Sequence, residues 1–214
     1  MRQELPPLYP ILDTAMLEAR GCPAGEAAAA MLKAGARILQ FRHKGKFTRE
    51  VFDTASRVSA LCRTHGALFI VDDRADIAMM LDAGLHVGQD DVPVAIARRL
   101  IGPDRTLGFS THNLDQLATC ADAPVDYIAY GPVFQTASKQ NPDPVVGIEG
   151  VRAAKAAAGA RPLVAIGGIT RANAAEVLAA GADSVAVISD LLPEPCTPES
   201  ICSRLQEWLH LARK

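Results

Sequence analysis

Apolar and polar positions fall in alternating blocks along this chain. A short apolar run is followed by a polar or glycine-rich turn and then by an alanine-rich stretch with helical spacing, and this unit recurs from end to end. The runs predict eight strands: 8–12, 38–41, 68–71, 85–87, 107–109, 127–130, 163–166 and 185–188. Apolar runs of this length bounded by turn residues read as strands buried on both faces, as in a parallel sheet. The clearest predicted helix covers 48–65, where Val51, Ala55, Val58 and Cys62 share one face, Thr48 caps the start and Gly66 closes the end. Similar stretches lie at 24–34, 93–100, 148–158 and 172–180. A last helix is expected to start at Thr197 with Pro198 in its first position, and to carry Trp208 as a packing residue.

Eight strand–helix alternations fit a closed (β/α)8 TIM barrel or a doubly wound sheet, both of class α/β. The count and the glycine-rich turns after the late strands favour a single (β/α)8 barrel domain over residues 1–214, compact beside the roughly 250 residues such barrels commonly use. Residues 140–144, with two prolines, predict an irregular loop after the sixth strand. A lid and an ordinary rigid loop are both open readings of it.

Net charge is −2, which gives no electrostatic case for nucleic acid or an anionic membrane as partner. No apolar run reaches the roughly 20 residues of a membrane span, and the first residues lack the apolar core of a signal peptide. The five cysteines are scattered and never in Cys-x-x-Cys spacing, so free thiols and a cytoplasmic setting are expected. Self-association into a homo-oligomer is left open.

Candidate chemistry gathers at the predicted strand C-termini, the face on which such barrels bind ligands. Asp72-Asp73-Arg74 follows the third strand and Gly88-Gln89-Asp90-Asp91 the fourth. Carboxylates from neighbouring strands suit Mg²⁺ whose remaining ligands are phosphate and water; the bland alternative, helix capping by Asp, is about as common for any one of them. Gln40, Arg42 and Lys44 alternate on one side of the second strand and its extension, a cationic set suited to phosphate or, more plainly, to salt bridges with the acids. The loop 131–139 offers Thr136, Ser138 and Lys139; Gly167-Gly168 and Ile188-Ser189 follow the last two strands, the usual phosphate position. Carboxylates about 4 Å from a diphosphate oxygen would oppose it by about 4 kcal/mol per pair at an effective dielectric near 20, so a bridging cation is required for both to share one site. Of the histidines, His86 reads as a core or mouth residue, His112 as an ambiguous mouth residue, and His43, His65 and His210 as surface positions.

Gln40-x-Arg42-x-Lys44, Asp72-Asp73-Arg74, residues 86–91, Ser110-Thr111-His112, residues 131–139 and residues 165–169 together resemble the thiamine-phosphate synthase family, nearly end to end. The resemblance implies a transferase that joins hydroxymethylpyrimidine diphosphate to a thiazole phosphate and releases pyrophosphate through a pyrimidine cation. By that resemblance Asp73 and Asp91 match the Mg²⁺ ligands. Gln40, Arg42, Lys44, Lys139 and Ser110 match pyrimidine diphosphate contacts, with Lys139, Ser110 and Arg42 the catalytic members. Thr136, Ser138, Gly168, Ile188 and Ser189 match the thiazole phosphate site. Asp72, counted with the substrate-binding residues, departs from the family's usual Asn, and Ser138 from its common Thr; the spacing from Asp73 to Asp91 is one residue short of the family pattern. Alternatives are the thiazole tautomerase branch of the same superfamily, a non-catalytic phosphate-binding barrel and a sugar-phosphate isomerase. Intact carboxylates and their facing cations favour the synthase.

Overall fold

The structure, a computed structural model, describes residues 5–136 and 143–212. Eight parallel strands close into a barrel in chain order: β1 (Leu8–Asp13), β2 (Ile38–Arg42), β3 (Leu68–Asp72), β4 (Gly84–Val87), β5 (Leu107–Thr111), β6 (Tyr127–Tyr130), β7 (Leu163–Ile166) and β8 (Ser184–Val187), with β8 pairing back to β1. This is the predicted single (β/α)8 barrel. Around it lie α1 (Thr14–Ala19), α2 (Ala24–Ala34), α3 (Arg49–Thr64), α4 (Ala75–Leu81), α5 (Val94–Ile101), α6 (Leu114–Ala118), α7 (Gly147–Ala158), α8 (Ala174–Ala179) and α9 (Pro198–Leu211). None of the described helices is long and apolar enough to cross a membrane.

Strand alternation divides the apolar residues between two cores. Outward positions such as Leu39, Phe41, Val71, Leu85 and Leu107 pack under the helices in the larger one. Inward positions Tyr9, Ile11, Ile38, Ile70, Tyr127, Ala129, Val164 and Ala186 fill the barrel lumen. Because side chains repeat every second residue, the same alternation carries Gln40, Arg42, Asp72, His86 and Ser110 inward, one or two steps above the apolar layer. Gly108 is inward too, and a Cβ there would overlap the Tyr127 ring; the bare backbone makes room for that phenol.

The helix ends follow their sequence signals. Thr48 accepts from Val51 N to cap α3, and Thr197 forms a capping box with Ser200 ahead of Pro198 at the start of α9. Trp208 of α9 is fully buried, as expected, and its indole N–H donates to Asp190 Oδ2 at 2.8 Å, fastening the 3₁₀ turn Ser189–Leu191 that follows β8. The strand β5 runs to Thr111, two residues beyond the expected end, so Ser110 is part of the barrel wall. Helices α1, α4 and α6, of six, seven and five residues, are too short to show a helical period and were not expected.

Candidate active site

A cavity of about 870 Å³ opens at the C-terminal mouth of the barrel. Gln40, Arg42, Lys44, Asp72, Asp73, Asp91, Ser110, Thr136, Gly168, Ile188 and Ser189 all line it, so every expected site residue within the described segments is brought to one place. Ser138 and Lys139 lie outside the described residues.

The acidic wall is built at the ends of β3 and β4. Asp73 leaves β3 in the left-handed conformation (φ 62°), and its amide donates to the His86 carbonyl at 2.8 Å. Asp91 is turned back toward β4, its Oδ2 accepting from Gly88 N at 2.7 Å. Burial raises the Asp91 pKa, the Gly88 N–H opposes this, and the adjacent Asp73 carboxylate adds to the rise. Asp90, beside Asp91 in the chain, is exposed to solvent. Asp72 points into the barrel and is buried; desolvation first, then the charge of Asp73, pushes its pKa up to about 6 against the pull of Lys44 and Arg42.

The cations face these acids. Lys44 is ion-paired with Asp73, and its Nζ lies 2.9 Å from Asp72 Oδ2, though off the direction of a hydrogen bond, so that oxygen keeps an electrostatic partner without a directional one. Burial pulls the Lys44 pKa down, but the two carboxylates outweigh it and the net shift is upward. Arg42 pairs with Asp13, the residue that also caps α1 by accepting from Met16 N, and its Nε stands 3.6 Å from Asp72. The salt-bridge reading of Arg42 and Lys44 is therefore realised here, inside the cavity that the ligand reading requires. Among the described residues no three His, Cys, Asp or Glu side chains are grouped to hold a metal on their own. Asp73 and Asp91, two adjacent carboxylates with one proton affinity raised by the other, do suit a Mg²⁺ that takes its other ligands from phosphate and water.

The opposite wall is backbone. Gly167 (φ 101°) and Gly168 (φ 64°) turn the chain after β7 so that the loops after β6 and β7 run together, with Val133 N donating to Ile166 O at 2.9 Å and Phe134 N to Gly167 O at 3.0 Å. A Cβ on Gly168 would overlap the Gln135 carbonyl and come within 2.8 Å of Phe134 Cβ. Ser189 opens the 3₁₀ turn beside this wall. Asp190 anchors it through Trp208 and through Arg171, whose Nε lies 3.1 Å away.

The floor holds a feature that sequence reasoning missed. Tyr9 and Tyr127 hydroxyls meet at 2.8 Å, Gln40 Nε2 donates to Tyr9 at 3.2 Å, and His86 bridges Tyr127 (Nδ1, 2.9 Å) and Ser110 (Nε2, 2.8 Å). Burial holds both phenols protonated and lowers the His86 pKa to about 4, so this histidine is neutral near pH 7. His86 is thus a core residue reaching the mouth, as expected. His43, expected at the surface, is half-buried, with Nδ1 2.7 Å from Thr14 Oγ1. His112 holds the Gly131 carbonyl through Nδ1 at 2.8 Å. The available signal for the floor was the inward register of Tyr9 and Tyr127, with glycine at 108 across from the second.

These features define a (β/α)8 barrel whose mouth sets carboxylates and cations on one side and a close-approach glycine turn on the other, a site for an anionic small molecule. Known proteins narrow the class. The sequence profile described as thiamine monophosphate synthase matches residues 8–191. The thiamine-phosphate synthase of Koribacter versatilis is 44% identical over 195 residues, covering 90% of this chain and 92% of that protein. That of Chloroflexus aurantiacus is 43% identical, with 85% and 83% covered. A solved thiamine phosphate pyrophosphorylase from Pyrococcus furiosus superposes with a TM-score of 0.84 at 33% identity, over 99% of this chain and 97% of that one. The chain belongs to the thiamine monophosphate synthase family, and with it to the transferases of thiamine biosynthesis.

Proposed function

We propose that the protein couples hydroxymethylpyrimidine diphosphate to a thiazole phosphate, giving thiamine phosphate and pyrophosphate. The observation that carries this reading is the meeting of Asp73 and Asp91 in one cavity with Lys44 and Arg42, across from the Gly167–Gly168 turn. Such a mouth serves two anionic substrates, one diphosphate against the acidic wall and one monophosphate against the glycine turn.

Asp73 and Asp91 would hold Mg²⁺, which when bound neutralises the diphosphate and makes it a better leaving group. Lys44 and Arg42 then change partners, from the carboxylates they hold in the free protein to diphosphate oxygens. In the coupling step the bond between the pyrimidine methylene and the diphosphate oxygen breaks, with its electron pair leaving on pyrophosphate. The thiazole nitrogen supplies the electron pair of the new carbon–nitrogen bond. Gln40 and Ser110 orient the pyrimidine ring from the barrel floor. Gly168, Ile188, Ser189 and Thr136, with Ser138, fix the thiazole phosphate so that the two reacting atoms start in place, which removes much of the entropic cost of their meeting. Lys139, taken from the family resemblance, stabilises the departing pyrophosphate.

The tautomerase alternative leaves the paired carboxylates and their facing cations without a task. Free thiols at all five cysteines suit a reducing, cytoplasmic setting. The test is direct: supply the purified protein with the pyrimidine diphosphate, the thiazole phosphate and Mg²⁺, and follow thiamine phosphate and pyrophosphate together. Equal amounts of both, abolished by chelator, are expected; no thiamine phosphate at any Mg²⁺ concentration would remove the reading.

A further inference from the structure

The hydrogen-bond chain across the barrel floor has a direction, and that direction ends on Ser110. Gln40 is placed with its amide nitrogen toward Tyr9, and in that orientation the Tyr9 oxygen receives a proton there. Tyr9 is fully buried, and among the described residues its hydroxyl has Tyr127 as its one acceptor, at 2.8 Å. A buried hydroxyl left without an acceptor is costly, so Tyr9 donates to Tyr127. Tyr127 has already received from Tyr9, and its own proton goes to its other partner, His86 Nδ1, at 2.9 Å. A neutral imidazole carries one N–H. With Nδ1 occupied as an acceptor, that N–H is on Nε2 and is donated to Ser110 Oγ at 2.8 Å. Ser110 therefore accepts from the floor, and its own proton is free to point up into the cavity that it lines.

We propose that the sequence Gln40→Tyr9→Tyr127→His86 makes Ser110 an obligatory hydrogen-bond donor to the bound substrate, with His86 and Tyr127 as positioning residues that select a ligand presenting an acceptor atom at that wall. Resting on the coupling reading above, that acceptor is a heteroatom of the pyrimidine substrate. A ligand with C–H at the same place leaves the Ser110 proton unpaired and is rejected. The stacking of His86 on Tyr127, with centroids 5.6 Å apart and planes 19° from parallel, holds the imidazole in the orientation this needs.

Two measurements test it. The first uses no substrate: ¹⁵N NMR of the full-length protein at pH 7 reads the His86 tautomer. The Nε2–H form with an unprotonated Nδ1 is expected; an Nδ1–H form, or a charged ring, overturns the proton order. This result stands whether or not coupling activity is found. The second is a double-mutant cycle on kcat/KM, with Tyr127→Phe made in the parent and in Ser110→Ala. Removing the phenol is expected to cost about tenfold when Ser110 is present and nothing further when it is Ala, the scale of one lost hydrogen bond. An equal loss in both backgrounds would mean that Tyr127 acts by packing alone, and would overturn the proposal. His86→Gln, which keeps an N–H near the Nε2 position, is expected to recover most of the activity lost in His86→Leu; equal loss in both counts against it.

Discussion

The amide of Asp73 donates to the carbonyl of His86 at 2.8 Å, joining the acidic rim of the cavity to the hydrogen-bonded floor beneath it. That bond exists because Asp73 takes a left-handed backbone conformation at the end of β3, one that Asp and Asn tolerate and other side chains resist by roughly 1–2 kcal/mol. The turn that sets a carboxylate opposite Asp91 also pins the strand from which His86 reaches Ser110.

Asp73 accordingly serves in two separable ways. Asp73→Asn keeps the left-handed turn and removes a charge, so its metal-free stability is expected within about 1 kcal/mol of the parent, while the Mg²⁺ needed for half-maximal coupling rises at least about tenfold. Asp73→Ala loses the charge and strains the turn, which costs a further 1 kcal/mol or so. Denaturant unfolding in chelator, set beside Mg²⁺ titrations of the rate, separates the two; identical unfolding curves for Asn and Ala would show that the backbone conformation carries no weight.

Asp72 gives a pH signature in metal-free protein. Its folded pKa is raised to about 6, above the unfolded value near 3.9. The folded state thus binds this proton more tightly, so the stabilisation is fully present below about pH 4 and is lost as pH rises through 6. That difference corresponds to about 3 kcal/mol. Asn has no such proton, and Asp72→Asn is expected to gain about 3 kcal/mol on the parent between pH 4 and pH 7, a relative Tm rise on the order of 6–12 °C for a chain this size. His86, depressed to about 4, runs the other way, losing stability as pH falls from 6.5, but it is common to both proteins and cancels in the difference. Parallel Tm–pH curves for parent and variant would dismiss the raised pKa.

Lys139 carries a family-derived role, and a clean measurement exists for it. Lys139→Ala is expected to slow single-turnover coupling by about 3 kcal/mol, on the order of a hundredfold, the scale of one preorganised group facing developing charge. Pyrimidine diphosphate binding measured in the absence of the thiazole partner should weaken far less. A single-turnover rate equal to the parent's would take Lys139 out of the charge-stabilising set.

Local rules made most of this barrel legible. The period of two placed Gln40, Arg42 and Lys44 on one side, and the turn residues after each run placed Asp72, Asp73, Asp91 and Gly168 at one end; that β3 extends through Asp72 and turns it inward came from the structure. Helices α1, α4 and α6 escaped because each is shorter than two helical turns. The floor escaped for a different reason. Tyr9 and Tyr127 are 118 residues apart and meet only because closure of β1 onto β8 sets β1 across the lumen from β6. No local window contains that pairing. Asp13 was hidden in the same way, since nothing near it in sequence shows that the neighbouring strand brings Arg42 alongside.

Gly168 tests the backbone wall. Its φ of 64° favours glycine, and a Cβ would press on the Gln135 carbonyl and Phe134 of the adjoining loop. Gly168→Ala combines the left-handed penalty of roughly 1–2 kcal/mol with overpacking of roughly 1–3 kcal/mol, so a loss of at least about 2 kcal/mol in stability is expected. The strain falls on the loops that meet at this wall and not on the acidic rim. The KM for the thiazole phosphate should therefore rise severalfold while the Mg²⁺ dependence stays that of the parent. Titrating each substrate against the variant checks the division: a KM change confined to the pyrimidine diphosphate would place the monophosphate elsewhere in the mouth.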